Sequence, residues 1–156
     1  MSKEAKEGIL AFEKEIELVS ARNHVNIISL VGFCNELNEK ILLYELMPNG
    51  SLYDYICKHK NSIARLTVEQ RLNICIRVAK GLDYLHSRTD YVIIHSDLKT
   101  YNILLDQNLV PKISDFDLSR TRVAGPSTTK QITNHIQAIA NIKMYEVVDQ
   151  YLNNHS

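Results

Sequence analysis

Three observations predict an α+β fold. One helical period runs through residues 3–21, a longer one runs through 68–87, and short apolar runs fold back across polar turns between and after them. In the first helix Ile9, Phe12, Ile16 and Val19 recur at steps of three and four, the pattern of one buried stripe. Glu13, Lys14, Glu15 and Glu17 fall among them and are expected on the solvated face. Ile27–Cys34 and Lys40–Leu46 are apolar runs joined by the polar turn Asn35–Asn38, which predicts a hairpin. Two strands alone are marginal in water, and their open edges invite pairing with another chain.

Pro48-Asn49-Gly50 ends the second run, and Ser51 is placed to cap a short helix through Ile56. Lys58–Arg65 is a polar connector, and Thr67-x-x-Gln70 fits a capping box. Leu72, Cys75, Val78 or Ala79, Leu82 and Leu85 then give the long helix its apolar face, with Cys75 expected in the core. His24 and His86 have no partner at metal-ligand spacing and are expected to pack or sit at helix ends. Farther on, Gly125–Thr129 has linker composition, and Ile132, Ile136, Ile139 or Ala140, Val147 and Tyr151 predict a tail helix.

The chemistry is concentrated in residues 92–119. Asp97 and Asn102 are five apart, just after the apolar run Val92-Ile93-Ile94. Ile103–Leu105, the turn Asp106-Gln107-Asn108 and Val110–Ile113 predict a hairpin that returns Asp115 beside Asn102. Three oxygen-bearing side chains would then converge at one end of a small sheet, a donor set suited to a hard cation such as magnesium. A polar loop followed by a polar turn is the plainer reading of the same spacing.

At 156 residues the chain fits one domain. Its 18 basic and 18 acidic residues balance, which argues against nucleic acid or an anionic membrane as partner. Cys34, Cys57 and Cys75 are odd in number and lack metal spacing, so reduced thiols are expected. With no signal-like segment and no apolar run of spanning length, the chain is expected to be soluble and cytoplasmic, without a membrane anchor.

His95-Ser96-Asp97-Leu98-Lys99-Thr100-Tyr101-Asn102 followed by Ile113-Ser114-Asp115-Phe116-Asp117 resembles the catalytic loop and the magnesium loop of protein kinases. With Gly32-Phe33-Cys34 and Met47-Pro48-Asn49-Gly50-Ser51-Leu52, residues 9–120 resemble plant receptor-like serine/threonine kinases. The resemblance implies an incomplete kinase-like fold. Residues 1–46 would hold the αC helix and a two-stranded remnant of the N-lobe, 47–120 the hinge and the first, mostly helical half of the C-lobe, and 121–156 a divergent linker and tail. It implies ATP and Mg2+ as cofactors. Asp97 would accept or orient the proton of a substrate hydroxyl, and Lys99 would steady the transferred phosphate. Asn102 and Asp115 would hold magnesium, and His95 would brace the loop. Tyr44 would be the gatekeeper, the backbone of Glu45 and Met47 would read the adenine edge, and Leu104 would form the floor beneath adenine.

The departures matter as much as the matches. Ser96 stands where most of the family has arginine, and Asp117 stands where it has the glycine of Asp-Phe-Gly, so a more restricted backbone and a crowded metal site are expected there. Glu15 matches the helix glutamate that pairs with a strand lysine. Neither that lysine's strand nor a glycine-rich phosphate loop precedes it in these residues, so Glu15 is expected to be a surface acid. The resemblance therefore implies a serine/threonine kinase fragment with impaired transfer. An interaction module pairing with a full-length kinase or another protein, and a truncated product without a role, are the alternatives.

Overall fold

The computed structural model describes residues 3–36, 39–59, 63, 65–87, 89 and 91–123, with the backbone alone for 3–6. The linker and tail helix expected after residue 123 lie outside the described residues. In chain order the elements are α1 (Lys3–Ser20), β1 (Leu30–Asn35), β2 (Lys40–Tyr44), α2 (Leu52–Lys58), α3 (Val68–Ser87) and β3 (Val92–Ile94). A single 3₁₀ turn (Thr100–Asn102), β4 (Ile103–Leu105), β5 (Pro111–Ile113) and β6 (Arg120–Arg122) follow. Three antiparallel pairs result: β1 with β2, β3 with β6, and β4 with β5. The α+β expectation holds.

The hairpin β4–β5 is the centre of the molecule because both of its outer edges are taken. On the β5 side Ile113 N–H donates to Asn26 O at 2.9 Å and Ile28 N–H donates to Ile113 O at 2.9 Å. On the β4 side Leu105 N–H donates to Gly50 O at 2.9 Å and Asn49 N–H donates to Leu105 O at 3.2 Å. This corrects the first predicted strand. Ile27 and Ile28 are not on β1 but are buried against Ile113, and the strand proper begins at Leu30. The apolar run was continuous in sequence, while its hydrogen bonds go to two different partners.

The caps formed as their chemistry requires. Ser51 Oγ accepts from Asp54 N–H at 3.0 Å at the start of α2. At the start of α3 the reciprocal pair forms, with Thr67 N–H donating to Gln70 Oε1 at 2.8 Å and Gln70 N–H donating to Thr67 Oγ1 at 3.1 Å.

A single core runs through Leu18, Val19, Ile28, Ile74, Val78, Leu82, Leu85, Ile93, Ile103, Ile113 and Phe116. The predicted face of α3 holds at Val78, Leu82 and Leu85, while Ile74 and Gly81 also face inward in place of the expected Leu72 and Cys75. Leu72 is exposed, and Cys75 is only half-buried. Gly81 marks the closest approach of this face to its neighbours. A Cβ built there would lie 3.0 Å from Asn26 O and 3.0 Å from Ile113 Cδ1, so the helix reaches the central hairpin through the absence of a side chain. The pairing of β3 with β6 had no counterpart in the sequence reading, because Arg120-Thr121-Arg122 is fully exposed and carries no apolar alternation.

Two glycine substitutions separate helix propensity from packing. Gly8→Ala on α1, where an added Cβ meets nothing within 4 Å, is expected to raise stability by about 0.5–1 kcal/mol. Gly81→Ala is expected to lower it, because the backbone oxygen of Asn26 cannot yield and overpacking costs about 1–3 kcal/mol. Thermal melts of the two variants should move in opposite directions.

Candidate active site

The loop between β3 and the 3₁₀ turn is held from below by His95, which is fully buried. Its Nδ1 accepts from Asp97 N–H at 3.3 Å, which leaves the proton on Nε2 to be donated to Ser114 O at 2.8 Å. Burial holds the ring's pKa below its ordinary value, so this neutral tautomer is the stable one. Ser119 Oγ donates to His95 O at 3.1 Å, and the Phe116 ring meets the imidazole edge-on at 5.0 Å. One histidine thus ties together the segments that carry Asp97 and Asp115.

Above it, Asp97 Oδ2 accepts from Lys99 Nζ at 2.6 Å and from Asn102 Nδ2 at 3.1 Å. Asn102 Nδ2 also donates to Asp97 O at 3.0 Å. The Lys99 ammonium is the main reason the Asp97 carboxyl lies below the ordinary carboxylate range, and Asp97 in turn raises Lys99. Because the Asn102 nitrogen faces Asp97, its Oδ1 is the atom left as an acceptor.

The β4–β5 register brings Asp115 back to this group. Ile103 is opposite Ile113, and Ser114 N–H donates to Asn102 O at 2.9 Å, so Asp115 follows directly beside Asn102 as the hairpin predicted. Burial first, and the Asp117 charge second, push the Asp115 carboxyl up. An oxygen of Asn102 and two crowded carboxylates fit a hard divalent cation, which would relieve the repulsion between Asp115 and Asp117. These donor types fit magnesium, and Asn102 and Asp115 are the residues that would hold it.

The backbone expectation at Asp117 is corrected. The left-handed conformation falls at Asp115 (φ 67°) and at Ser96 (φ 67°), and Asp117 has no positive φ. The turn after β5 is made two positions earlier than a glycine at 117 would imply, at an aspartate, which tolerates this region better than most residues. Asp117 O instead accepts from Lys14 Nζ at 3.1 Å.

A larger correction concerns Glu15, which is 4% exposed rather than on the surface. Tyr44 Oη donates to Glu15 Oε1 at 2.7 Å and Phe116 N–H donates to Glu15 Oε2 at 2.7 Å. A strand lysine was the only partner considered from sequence, while a tyrosine on β2 and a peptide group supply the donors. The spacing did carry a signal, because Phe12, Glu15 and Val19 lie on one face of α1.

Tyr44, Leu104 and Asp115 line one cleft of about 480 Å³, together with Glu15, Phe12 and Leu42. Glu45 and Met47 lie just beyond Tyr44, outside the cleft lining. Glu45 N–H donates to Ser29 O at 3.1 Å, so the backbone of Glu45 keeps only its carbonyl for a ligand. The Glu45 carboxylate accepts from Ser29 N–H at 2.7 Å and Lys112 Nζ at 2.8 Å. Burial pushes Glu45 up, but the Lys112 and Ser29 bonds outweigh it and hold the carboxyl below its ordinary value. Met47 O accepts from Gly50 N–H at 3.0 Å, which shapes the turn into α2.

A family model described as protein tyrosine and serine/threonine kinase matches residues 1–148. A protein of Arabidopsis thaliana named as a receptor-like protein kinase is 46% identical over 134 residues, covering 85% of this chain and 15% of the relative. The receptor-like protein kinase THESEUS 1 of the same plant is 46% identical over 79% of this chain and 14% of its own length. For the receptor-like protein kinase HERK 1, also from Arabidopsis thaliana, the values are 44%, 75% and 14%. The chain thus spans about a seventh of the length of these relatives. Among the described residues no helix is long and apolar enough to cross a membrane.

Glu15→Ala would leave the Tyr44 hydroxyl and the Phe116 N–H without their acceptor and is expected to cost about 2–4 kcal/mol in a denaturant melt. Burial is the leading cause of a raised Glu15 pKa, partly offset by its bonds to Tyr44 and Phe116. A raised folded-state pKa means stability that is fully present below the ordinary value of 4.5 and lost as pH rises through the folded value. Wild-type protein should therefore gain stability relative to Glu15→Gln as pH falls from neutral toward 4.5, and a constant gap would contradict this.

Proposed function

The chain belongs to the protein tyrosine and serine/threonine kinase family as a kinase-domain segment resembling plant receptor-like kinases, and from that premise we propose that it carries the hydroxyl-orienting and metal-holding half of a phosphoryl-transfer site. The family uses ATP and Mg2+ to phosphorylate protein hydroxyls. On this reading Asp97 orients the acceptor hydroxyl, Lys99 steadies the transferred phosphoryl group, and Asn102 and Asp115 hold the metal. Leu104 and Tyr44 bound the adenine side, where the Glu45 carbonyl and the Met47 backbone meet the base. When bound, magnesium supplies charge neutralisation for the phosphates.

The observation that carries this reading is the bonded set around Asp97, with Lys99 at 2.6 Å and Asn102 at 3.1 Å on one carboxylate oxygen. A carboxylate held below its ordinary pKa is a weak proton acceptor but a fixed hydrogen-bond acceptor, which suits orienting a hydroxyl. Transfer by this chain alone is slow or absent on the same reading. Phosphoryl transfer depends on positioning the phosphates, and the Glu15 carboxylate that would anchor a phosphate-binding lysine already has a donor on each oxygen. Pairing with a full-length kinase is the second reading, favoured by Val31, Phe33, Ile41 and Leu43, all exposed on β1 and β2.

A thermal melt with and without Mg-ATP tests the half-site. Binding at a hundredfold excess over Kd would stabilise the fold by about 2.7 kcal/mol. The shift should require magnesium and vanish in Asp115→Ala. An unmoved wild-type melt would favour the interaction module, and phosphate transfer faster than that of Asp97→Asn would overturn the impaired reading.

A further inference from the structure

The charged side chains that line the cleft are uneven in sign. Glu15, Asp115 and Asp117 are acids, and Lys40 is the one base among the described lining residues. We propose that Lys40 is an anion-binding residue of this cleft and takes phosphate oxygens of a magnesium nucleotide from the β2 wall. The proposal rests on the half-site reading above and deepens it, because it supplies from β2 a phosphate contact that the Asp97 and Asp115 loops do not.

Strand geometry places Lys40 there. Side chains alternate between the two faces of a strand, and on β2 the cleft face carries Lys40, Leu42 and Tyr44. Ile41 and Leu43 between them are outside the lining and exposed. Tyr44 at one end of this stripe reaches Glu15, and Lys40 stands at the other end, about 13 Å away by strand rise. Its ammonium is 6.0 Å from the centre of the Phe12 ring, and Phe12 lies about one turn before Glu15 on α1. Tyr44 and Leu104 bound the adenine side on the half-site reading, so Lys40 is at the end of β2 away from the base.

The ammonium is also available. Lys40 is exposed, and its Nζ donates to Glu36 O at 2.8 Å, a neutral backbone acceptor. A phosphate oxygen would add the attraction of opposite charges to the same hydrogen bond. The flexible stem and rotatable donors of lysine allow that exchange without movement of β2. Glu15 does not compete for the ammonium, because Tyr44 Oη and Phe116 N–H already occupy its two oxygens. The acids decide the form of the ligand. A bare phosphate would be repelled by Asp115 and Asp117, whereas a magnesium-bound one brings the cation for them and leaves phosphate oxygens for Lys40.

Calorimetric titrations of the full chain with Mg-ATP and with adenosine test the contact in wild type, Lys40→Gln, Lys40→Arg and Asp115→Ala. Lys40→Gln should weaken Mg-ATP about tenfold, the size of one hydrogen bond to a charged group, and leave adenosine unchanged. Lys40→Arg keeps the charge and should restore most of the affinity. The ligand-free melt of Lys40→Gln should match that of wild type, which separates a lost contact from a lost fold. An unchanged Mg-ATP affinity in Lys40→Gln, or an equal loss for adenosine, would overturn the proposal. Mg-ATP binding that survives Lys40→Gln and vanishes in Asp115→Ala would fail this proposal alone. Binding that Lys40→Gln weakens and Asp115→Ala leaves intact would fail the half-site reading and leave Lys40 standing. No Mg-ATP binding by wild type would overturn both.

Discussion

The Glu15 carboxylate is the point on which three otherwise separate parts of the molecule meet. One oxygen takes the hydroxyl of Tyr44 at the end of β2, the other takes the peptide N–H of Phe116 in the loop after β5, and the carboxylate itself belongs to α1. Burying a carboxyl is costly unless its oxygens find donors, and here each finds one at 2.7 Å. The result is geometric as well as energetic. The α1 helix cannot swing outward without stranding two donors, and the Asp115–Phe116 segment cannot move without releasing the helix. Lys14, one residue earlier, adds a second tie to the same segment through Asp117 O.

That segment is in turn anchored to the β4–β5 hairpin, which serves as the common reference for everything else. Residues 26–28 bond to one of its edges and residues 49–51 to the other, while His95 reaches it through Ser114 O. The cleft-lining Leu104, the loop of Asp97 and the loop of Asp115 are therefore positioned against the hairpin rather than only against one another. Gly81 lets α3 approach this hairpin closely, against Ile113 and Asn26.

How much of this was legible in the sequence depended on whether the signal was local. The capping box at Thr67 and Gln70, the cap at Ser51 and the hairpin around Asp106 are set by residues within four positions of each other, and all formed as read. The return of Asp115 to Asn102 followed from strand register and was likewise legible. What failed was long-range. The partners of Glu15 lie 29 and 101 residues away, the strand-like pairing of Ile27 is with Ile113, and the β3–β6 pair joins an apolar run to an exposed basic one. Hydrophobic periodicity could place Glu15 on the face of Phe12 and Val19 but could not supply its two donors, which come from distant parts of the chain.

The electrostatics of the two candidate loops bear on how labour is divided in the site. Lys99 holds Asp97 in its charged form, whereas burial and Asp117 push Asp115 toward its neutral form. On the proposed reading the first carboxylate, already held by Lys99 and Asn102, is placed to accept a hydrogen bond from a hydroxyl, and a cation would ease the crowding at the second. On the same reading the hydroxyl end would be pre-organised by hydrogen-bonded side chains within five residues of one another, and the phosphate end by what binds. The Asp115–Phe116 segment and the packing of α1 are coupled through one short loop.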